Sequence, residues 1–257
     1  MSDTVLKELN QGVLLLTLNR PAKKNAFNTE QWLACAEAFD EARKDDRVNV
    51  VVLTGGGNDF SSGQDLGETA SRRRREGEWP YRALERALAA FDKPLLGAAR
   101  GIAVGGGATI LFFCDILYVG ESLRMRFPFT SIGLAPEFAC SYLLQARVGA
   151  QRAAELLLTS EWIDADRAVN LGIAAGKVPD GELLKEVLGK AGEIAQWPVG
   201  SLRETKKCMM AGRTAAIEAT FEAERRAMAK QAGSPEHREA VTAFVEKRKP
   251  DFSNLKA

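Results

Sequence analysis

The hydrophobic pattern of the chain changes period several times. Val5 to Leu9 and Val13 to Leu18 are apolar-rich stretches on either side of Asn10, Gln11 and Gly12, which predicts a β-hairpin closed off by Asn19, Arg20 and Pro21. After the capping residues Asn28 and Thr29, Trp32, Leu33, Ala36 and Phe39 recur at helical spacing and predict a helix to about Arg43. Val48 to Leu53, VNVVVL, is rich in β-branched residues and interrupted only by Asn49, so it reads as a central strand. Tyr81 to Phe91 is amphipathic with a helical period and leads into Pro94 to Ala99, a short apolar run that suits a core strand. Gly105, Gly106 and Gly107 then open a turn where Ala108 to Phe113 can begin a helix, and a second buried strand follows, reaching Gly120.

Further along, Phe127, Pro128 and Phe129 form a rigid apolar segment that Gly133 ends. Pro136 is placed to open a helix containing Glu137 to Arg147, with Glu137 in its first turn. Helices are predicted from Ala150 to Leu158 and from Asp164 to Leu171, with a short strand near Ala174 to Val178. From Gly181 on, the chain reads as amphipathic helices broken at Trp197-Pro198, Gly212 and Ser234-Pro235. No exact internal repeat is present, although strand, turn and helix units recur through the first two thirds. The pattern is that of an α/β protein with a helical tail, and such a tail covers a core or makes an oligomer contact.

Composition narrows the chemistry. A chain of 257 residues can bury a large core as one domain, or one domain with a helical appendage. Lys and Arg total 35 against 34 Asp and Glu, a balance that points away from nucleic acid and acidic membrane surfaces and toward a small-molecule partner. Four arginines in Ser71 to Glu78, SRRRREGE, form the only basic cluster and read as a solvated face or an anion contact. Cys35, Cys114, Cys140 and Cys208 are widely spaced without a CxxC pair, which suits free thiols in a reducing compartment. His237 is the only histidine, so histidine-based nucleophilic catalysis and a histidine-rich metal site have almost nothing to build on. Carboxylates and backbone dipoles must carry any chemistry, with no metal expected. The first residues, MSDTVLKELN, lack the basic and apolar regions of a signal peptide, and Gly101 to Cys114, the longest charge-free run, is too short to span a bilayer. The ending NLKA is not the SKL address, and a soluble cytoplasmic location is expected.

Two glycine turns hold the candidate chemistry. The first N–H groups of a helix lack intrahelical acceptors, and glycine lets an oxygen approach them closely. Gly105 to Gly107 can therefore receive an oxygen that gains negative charge, or can simply allow close helix-to-sheet packing. It lacks the Lys-Ser/Thr ending of a P-loop and the GxGxxG spacing of a dinucleotide site. Thr54 to Asp65, TGGGNDFSSGQD, is a second strand-to-helix turn in which Gly63 can present the Gln64 N–H outward, or merely connect two elements. Two such donors converging on one carbonyl oxygen would stabilise an enolate by roughly 3 kcal/mol each.

Taken together, NRPAKKNAFN at Asn19 to Asn28, FSSGQDL at Phe60 to Leu66, GIAVGGGATILFFCDI at Gly101 to Ile116 and FVEKRKPDF at Phe244 to Phe252 resemble the crotonase (enoyl-CoA hydratase/isomerase) superfamily over nearly the whole length. The resemblance implies a spiral of ββα units over residues 1–195 and a C-terminal helical region, 196–257, that mediates trimer or hexamer formation. It implies the N–H groups of Gln64 and Gly106 as oxyanion donors, and coenzyme A as the carrier of an acyl thioester substrate. Lys24, Ala26, Ser62 and Asp65 would lie near CoA, and Phe244 and Lys247 match a pair that in relatives can reach the CoA of a neighbouring subunit.

The departures from that pattern are informative. Family hydratases carry one glutamate two residues after the triple glycine and another in the segment before the Gly at 133, where this chain has Thr109 and Phe129. Hydration needs a base for water and an acid for the α-carbon, so ordinary hydratase activity is not expected. Glu137 in GLAPEFACSYL resembles the Pro-Glu position of the peroxisomal-type Δ3,Δ2-enoyl-CoA isomerases, whose base lies there. Its proton affinity is expected to be pulled down by a helix start and up by Phe127, Phe129 and Phe138. Another crotonase-type reaction, or a catalytically silent acyl-CoA binding protein, are the alternatives.

Overall fold

Strand β1 (Val5–Asn10) turns back on β2 (Val13–Leu18) through Gln11 and Gly12, both at positive φ, as the hairpin signal predicts. Helix α1 (Thr29–Lys44) starts where Asn28 accepts the N–H of Gln31 at 2.9 Å. Strand β3 (Val50–Gly55) begins two residues later than its apolar run: Val48 closes a turn onto Asp45, and the Asn49 side chain donates to the Ala195 carbonyl at 3.0 Å. The computed structural model describes residues 3–71 and 79–255. The Arg72 to Arg75 cluster lies outside the described residues.

After α2 (Leu66–Ser71) and α3 (Tyr81–Ala89), the chain runs through β4 (Leu95–Ala99) and β5 (Ile102–Val104) into α4 (Gly106–Thr109), one turn that tightens to 3-10 geometry over Ile110–Phe113. Then come β6 (Ile116–Gly120), β7 (Arg124–Arg126), α5 (Cys140–Val148), α6 (Ala150–Thr159), β8 (Trp162–Asp164), α7 (Ala165–Asn170) and β9 (Gly176–Val178). Helices α8 (Leu183–Ala195), α9 (Val199–Met210), α10 (Thr214–Gln231) and α11 (Pro235–Val245) break where the sequence places the breaks.

The strands sort into two sheets. One is six-stranded, β1-β2-β3-β4-β6-β9, parallel except for the β1–β2 hairpin; the other is β5-β7-β8. Each turn of the spiral places one strand in the large sheet and the next stretch in the small one: β4 then β5, β6 then β7, and β3 then Ser61, which bridges to Ala103. This is the ββα spiral. The short strands β5, β7 and β8 were not legible because each has only three residues, too few for an alternation to show.

The uninterrupted apolar run of β3 follows from burial on both faces. Val51, Leu53, Leu95 and Ala99 join the main core with α1 and α3, while Val50, Val52, Leu96 and Ala98 pack on Leu183, Val187 and Ala191 of α8. Ile217 of α10 belongs to the main core, so the tail is packed on the spiral and not appended to it. Cys35, Cys114 and Cys140 are buried free thiols, whereas Cys208 is exposed. Among the described residues no helix is long and apolar enough to cross a membrane.

Candidate active site

The NRPAKKNAFN and FSSGQDL segments are stitched side by side. Phe27 N–H donates to Gly63 O at 2.7 Å, Asp65 N–H to Phe27 O at 2.8 Å and Ser62 N–H to Lys24 O at 2.9 Å. Because the residues flanking Gln64 make the bonds to Phe27, the Gln64 N–H points away from that segment. Gly63, at φ +83°, has no room for a side chain: a Cβ there would lie 2.5 Å from Val104 O and 3.5 Å from Gly106 N. The turn holding Gln64 is thus pressed against the turn holding Gly106. Among the described residues, neither the Gln64 nor the Gly106 main-chain N–H is bonded to an acceptor.

Buried Asn25 fastens this arrangement. Its Oδ1 accepts Arg20 N–H at 2.8 Å, and its Nδ2 donates to Gly56 O at 2.9 Å and Asp59 O at 2.7 Å. Its own carbonyl accepts Ser61 Oγ–H at 2.7 Å, and Ser61 Oγ accepts Gly63 N–H at 3.1 Å. Asn25→Ala removes three side-chain bonds in a site closed to water, and is expected to lower stability by about 2–4 kcal/mol in urea unfolding, since each such bond contributes about 1 kcal/mol and the orphaned groups add to the loss.

The three consecutive glycines serve three different purposes. Gly105 adopts φ +53°, a conformation that suits glycine, with nothing near its Cα face. Gly107 packs on Ser61, whose carbonyl would be 2.5 Å from an added Cβ. At Gly106 an added Cβ would meet Glu137 Oε1 at 2.8 Å and Trp32 Cη2 at 2.9 Å. The Glu137 carboxyl therefore rests directly beside Gly106.

Glu137 does not sit in a helix. Phe138 and Ala139 take left-handed backbone conformations, φ 59° and 51°, so the helix expected to open at Pro136 starts only at Cys140, as α5, and leaves Glu137 outside it. No helix start lowers the proton affinity of Glu137, contrary to the sequence-based expectation. Burial instead pushes its carboxyl up to about 8, and the negative charges of Glu85 and Glu224 add to the rise. The aromatic surroundings include Phe138, as expected, and extend to Trp32, which stacks on Phe27 at 3.8 Å and on Phe138 at 5.6 Å. Trp32 also donates its Nε1–H to Gln64 Oε1 at 2.9 Å, so one indole touches both glycine turns and the segment that carries Glu137. From sequence Trp32 reads only as a core position of α1.

The remaining sequence candidates divide. Ala26 is buried next to Phe27, the bridge partner of Gln64, and its carbonyl accepts from Arg20 Nη1. Lys24 is exposed, with Nζ 3.9 Å from Asp59. Ser62 is half-buried next to Lys24. The Asp65 carboxylate pairs with Arg20 at 3.0 Å and accepts Gly67 N–H at the start of α2. These four lie along one rim. Phe244 and Lys247 stand exposed at the end of α11, and among the described residues no hydrogen bond or ion pair joins them to that rim.

Glu85 and Glu224 were missed as site neighbours. The available signal was their position on apolar stripes: Glu85 follows Tyr81 by four residues and precedes Leu88, and Glu224 falls between Phe221 and Met228. Thr109 is fully buried with Oγ1 turned to Gly106 O, and Phe129 is buried, so neither position offers a carboxylate.

Two unengaged main-chain amides on turns pressed together, one of them beside a buried carboxyl, form an arrangement that can stabilise an oxygen anion next to a group able to carry a proton. The Enoyl-CoA hydratase/isomerase family model matches residues 8–255. Two Escherichia coli (strain K12) proteins, a 2,3-dehydroadipyl-CoA hydratase and a 1,2-epoxyphenylacetyl-CoA isomerase, are each 31% identical to the chain, covering 98% of it and 99% of themselves. The crystal structure of an enoyl-CoA hydratase/isomerase from Pseudoalteromonas atlantica T6c superposes with a TM-score of 0.93 at 34% identity, covering 98% of this chain and 100% of that one. The chain belongs to the enoyl-CoA hydratase/isomerase family, in the crotonase superfamily.

Proposed function

We propose that the protein is a Δ3,Δ2-enoyl-CoA isomerase with Glu137 as the proton carrier. The observation behind this reading is the carboxyl of Glu137 beside Gly106, with Thr109 and Phe129 filling the two places where family hydratases carry glutamates. In the reaction, ionised Glu137 removes a C2 proton from a 3-enoyl thioester. The C2–H electron pair becomes the C1=C2 bond and the carbonyl pair moves onto the thioester oxygen, giving a dienolate whose negative charge the Gln64 and Gly106 N–H groups stabilise. Glu137, now protonated, returns the proton at C4 and leaves the double bond between C2 and C3. A single acid suffices because the proton leaves and returns on one face.

The raised proton affinity suits this task, since a carboxylate of ordinary acidity is a weak base toward carbon. Coenzyme A would run along the rim of Lys24, Ala26, Ser62 and Asp65. One relative is named as an isomerase of a CoA ester, 1,2-epoxyphenylacetyl-CoA, which is in keeping with isomerase chemistry in this family. The test is a product assay on paired substrates: 3-enoyl-CoA should be converted to the 2-enoyl isomer, with hydration of 2-enoyl-CoA at least about a hundredfold slower for want of a second acid–base group. Fast hydration with no double-bond migration refutes the reading and returns the chain to the hydratases.

A further inference from the structure

Glu85 and Glu224 are buried carboxyls that the proton shift itself does not use. They come from different helices, α3 and α10, and both turn onto the main chain that carries Glu137. Glu85 Oε1 accepts Phe138 N–H at 3.1 Å, while Glu224 Oε1 accepts Ser141 N–H at 2.9 Å and Ser141 Oγ–H at 2.6 Å. Between these grips lie the two left-handed residues, Phe138 and Ala139, neither of them glycine. Side chains disfavour that backbone, so it persists only where surrounding contacts hold it.

Local sequence favours another state. Pro136 followed by Glu137 is a good helix opening, and extending α5 backward to it would move the Cys140 N–H from Glu137 O, which it reaches at 3.1 Å, to Pro136 O and give the Ser141 N–H the Glu137 carbonyl. Each added helical residue rotates the side-chain direction by about 100 degrees, which would carry the Glu137 carboxyl away from Gly106. We propose that Glu85 and Glu224 are positioning residues of the proton-transfer site, gripping the chain on either side of Phe138 and Ala139 so that the Glu137 carboxyl stays beside Gly106. This rests on the reading of Glu137 as proton carrier. The cluster is not a metal site: among the described residues no group of three His, Cys, Asp or Glu side chains could hold an ion.

The grips also carry charge. Facing Glu137 are Tyr81 and Glu85 from α3, Glu224 from α10 and the Cys140 thiol from α5; Arg82 and Arg86 of α3 act on Glu85, and Arg82 also lies 3.8 Å from Glu222. Burial also raises both glutamates, Glu85 to about 7; where they are ionised each raises the proton affinity of Glu137, so removing either charge lowers it. Catalysis needs the ionised form, and the acid limb of the pH profile must then move to lower pH.

The experiment compares Glu85→Gln and Glu224→Gln, which keep an acceptor oxygen and drop the charge, with Glu85→Ala and Glu224→Ala, which lose both. The Gln variants should hold their plateau kcat within about threefold while the acid limb of kcat/KM on 3-enoyl-CoA falls by about half a pH unit or more. The Ala variants should lose about tenfold or more in kcat with KM unchanged, because the carboxyl is no longer held in place. A purely structural role would reduce the yield of folded protein and leave the limb unmoved. Coincidence of both Gln limbs with the wild type overturns the proposal, and this arm decides alone if the Ala variants fail to fold. If the wild type itself moves no double bond, the isomerase reading has failed; infrared titration of the Glu137 carboxyl in the wild type and the Gln variants then decides the positioning proposal, which an unmoved titration overturns.

Discussion

Glu137→Gln is expected to slow migration of the 3-enoyl double bond by about a hundred- to ten-thousandfold while acyl-CoA binding survives. The amide keeps the shape and the contact with Gly106 but cannot take a proton from C2. Steady-state turnover of 3-enoyl-CoA together with calorimetric binding of an acyl-CoA separates the two effects, and unchanged turnover would remove Glu137 from the mechanism. A stability arm accompanies the kinetic one. The folded protein holds the Glu137 proton more tightly than the unfolded chain, so this group's stabilisation is complete below its ordinary value of 4.5 and lost as pH rises through about 8. The Gln variant has no such proton to lose. It should melt no lower than the wild type at mildly alkaline pH, and its relative stability should grow between acid and alkaline conditions.

Gly106→Ala is the second large effect. One methyl group would lie 2.8 Å from the Glu137 oxygen and 2.9 Å from the Trp32 ring, distances at which something must shift. The indole is held by Phe27, Phe138 and the bond to Gln64, so it yields little, and the displaced groups are the carboxyl and the Gly106 N–H. Losing one oxyanion donor reduces kcat by about a hundred- to a thousandfold, and a moved base adds to that. Overpacking of this size also lowers stability by about 1–3 kcal/mol, which a melting curve reads separately. Near-normal turnover in a folded Gly106→Ala protein would mean that the oxyanion is held elsewhere.

Much of the architecture was legible because it depends on local pattern. The apolar run of Val13 to Leu18 behind its turn residues, the β-branching of Val48 to Leu53, the Asn28 cap, and the breaks at Pro198, Gly212 and Pro235 are short-range signals, and the corresponding elements formed within about two residues. The two glycine turns were also visible as candidates. In the triple-glycine turn close packing and an open amide occur side by side, at Gly107 and Gly106 respectively. The segment around Glu137 departs from its local helix signal for a physical reason. Pro136 is a sound helix opener by local propensity, but Glu85 and Glu224 take the N–H groups of Phe138 and Ser141 and turn the chain left-handed, and those partners are distant in sequence.

By itself, then, the amino-acid order determined which stretches become strands and helices, that a chain with one histidine points to backbone amides and carboxyls as the candidate chemistry, and that Thr109 and Phe129 stand at the two places where family hydratases carry glutamates. The folded molecule alone decided that Gln64 and Gly106 are pressed together through Gly63, that Trp32 spans them, and that two remote acids surround the third. Periodicity and capping act over a few residues and are written in the sequence, whereas burial and the charge around one carboxyl arise only when segments far apart along the chain are brought into contact.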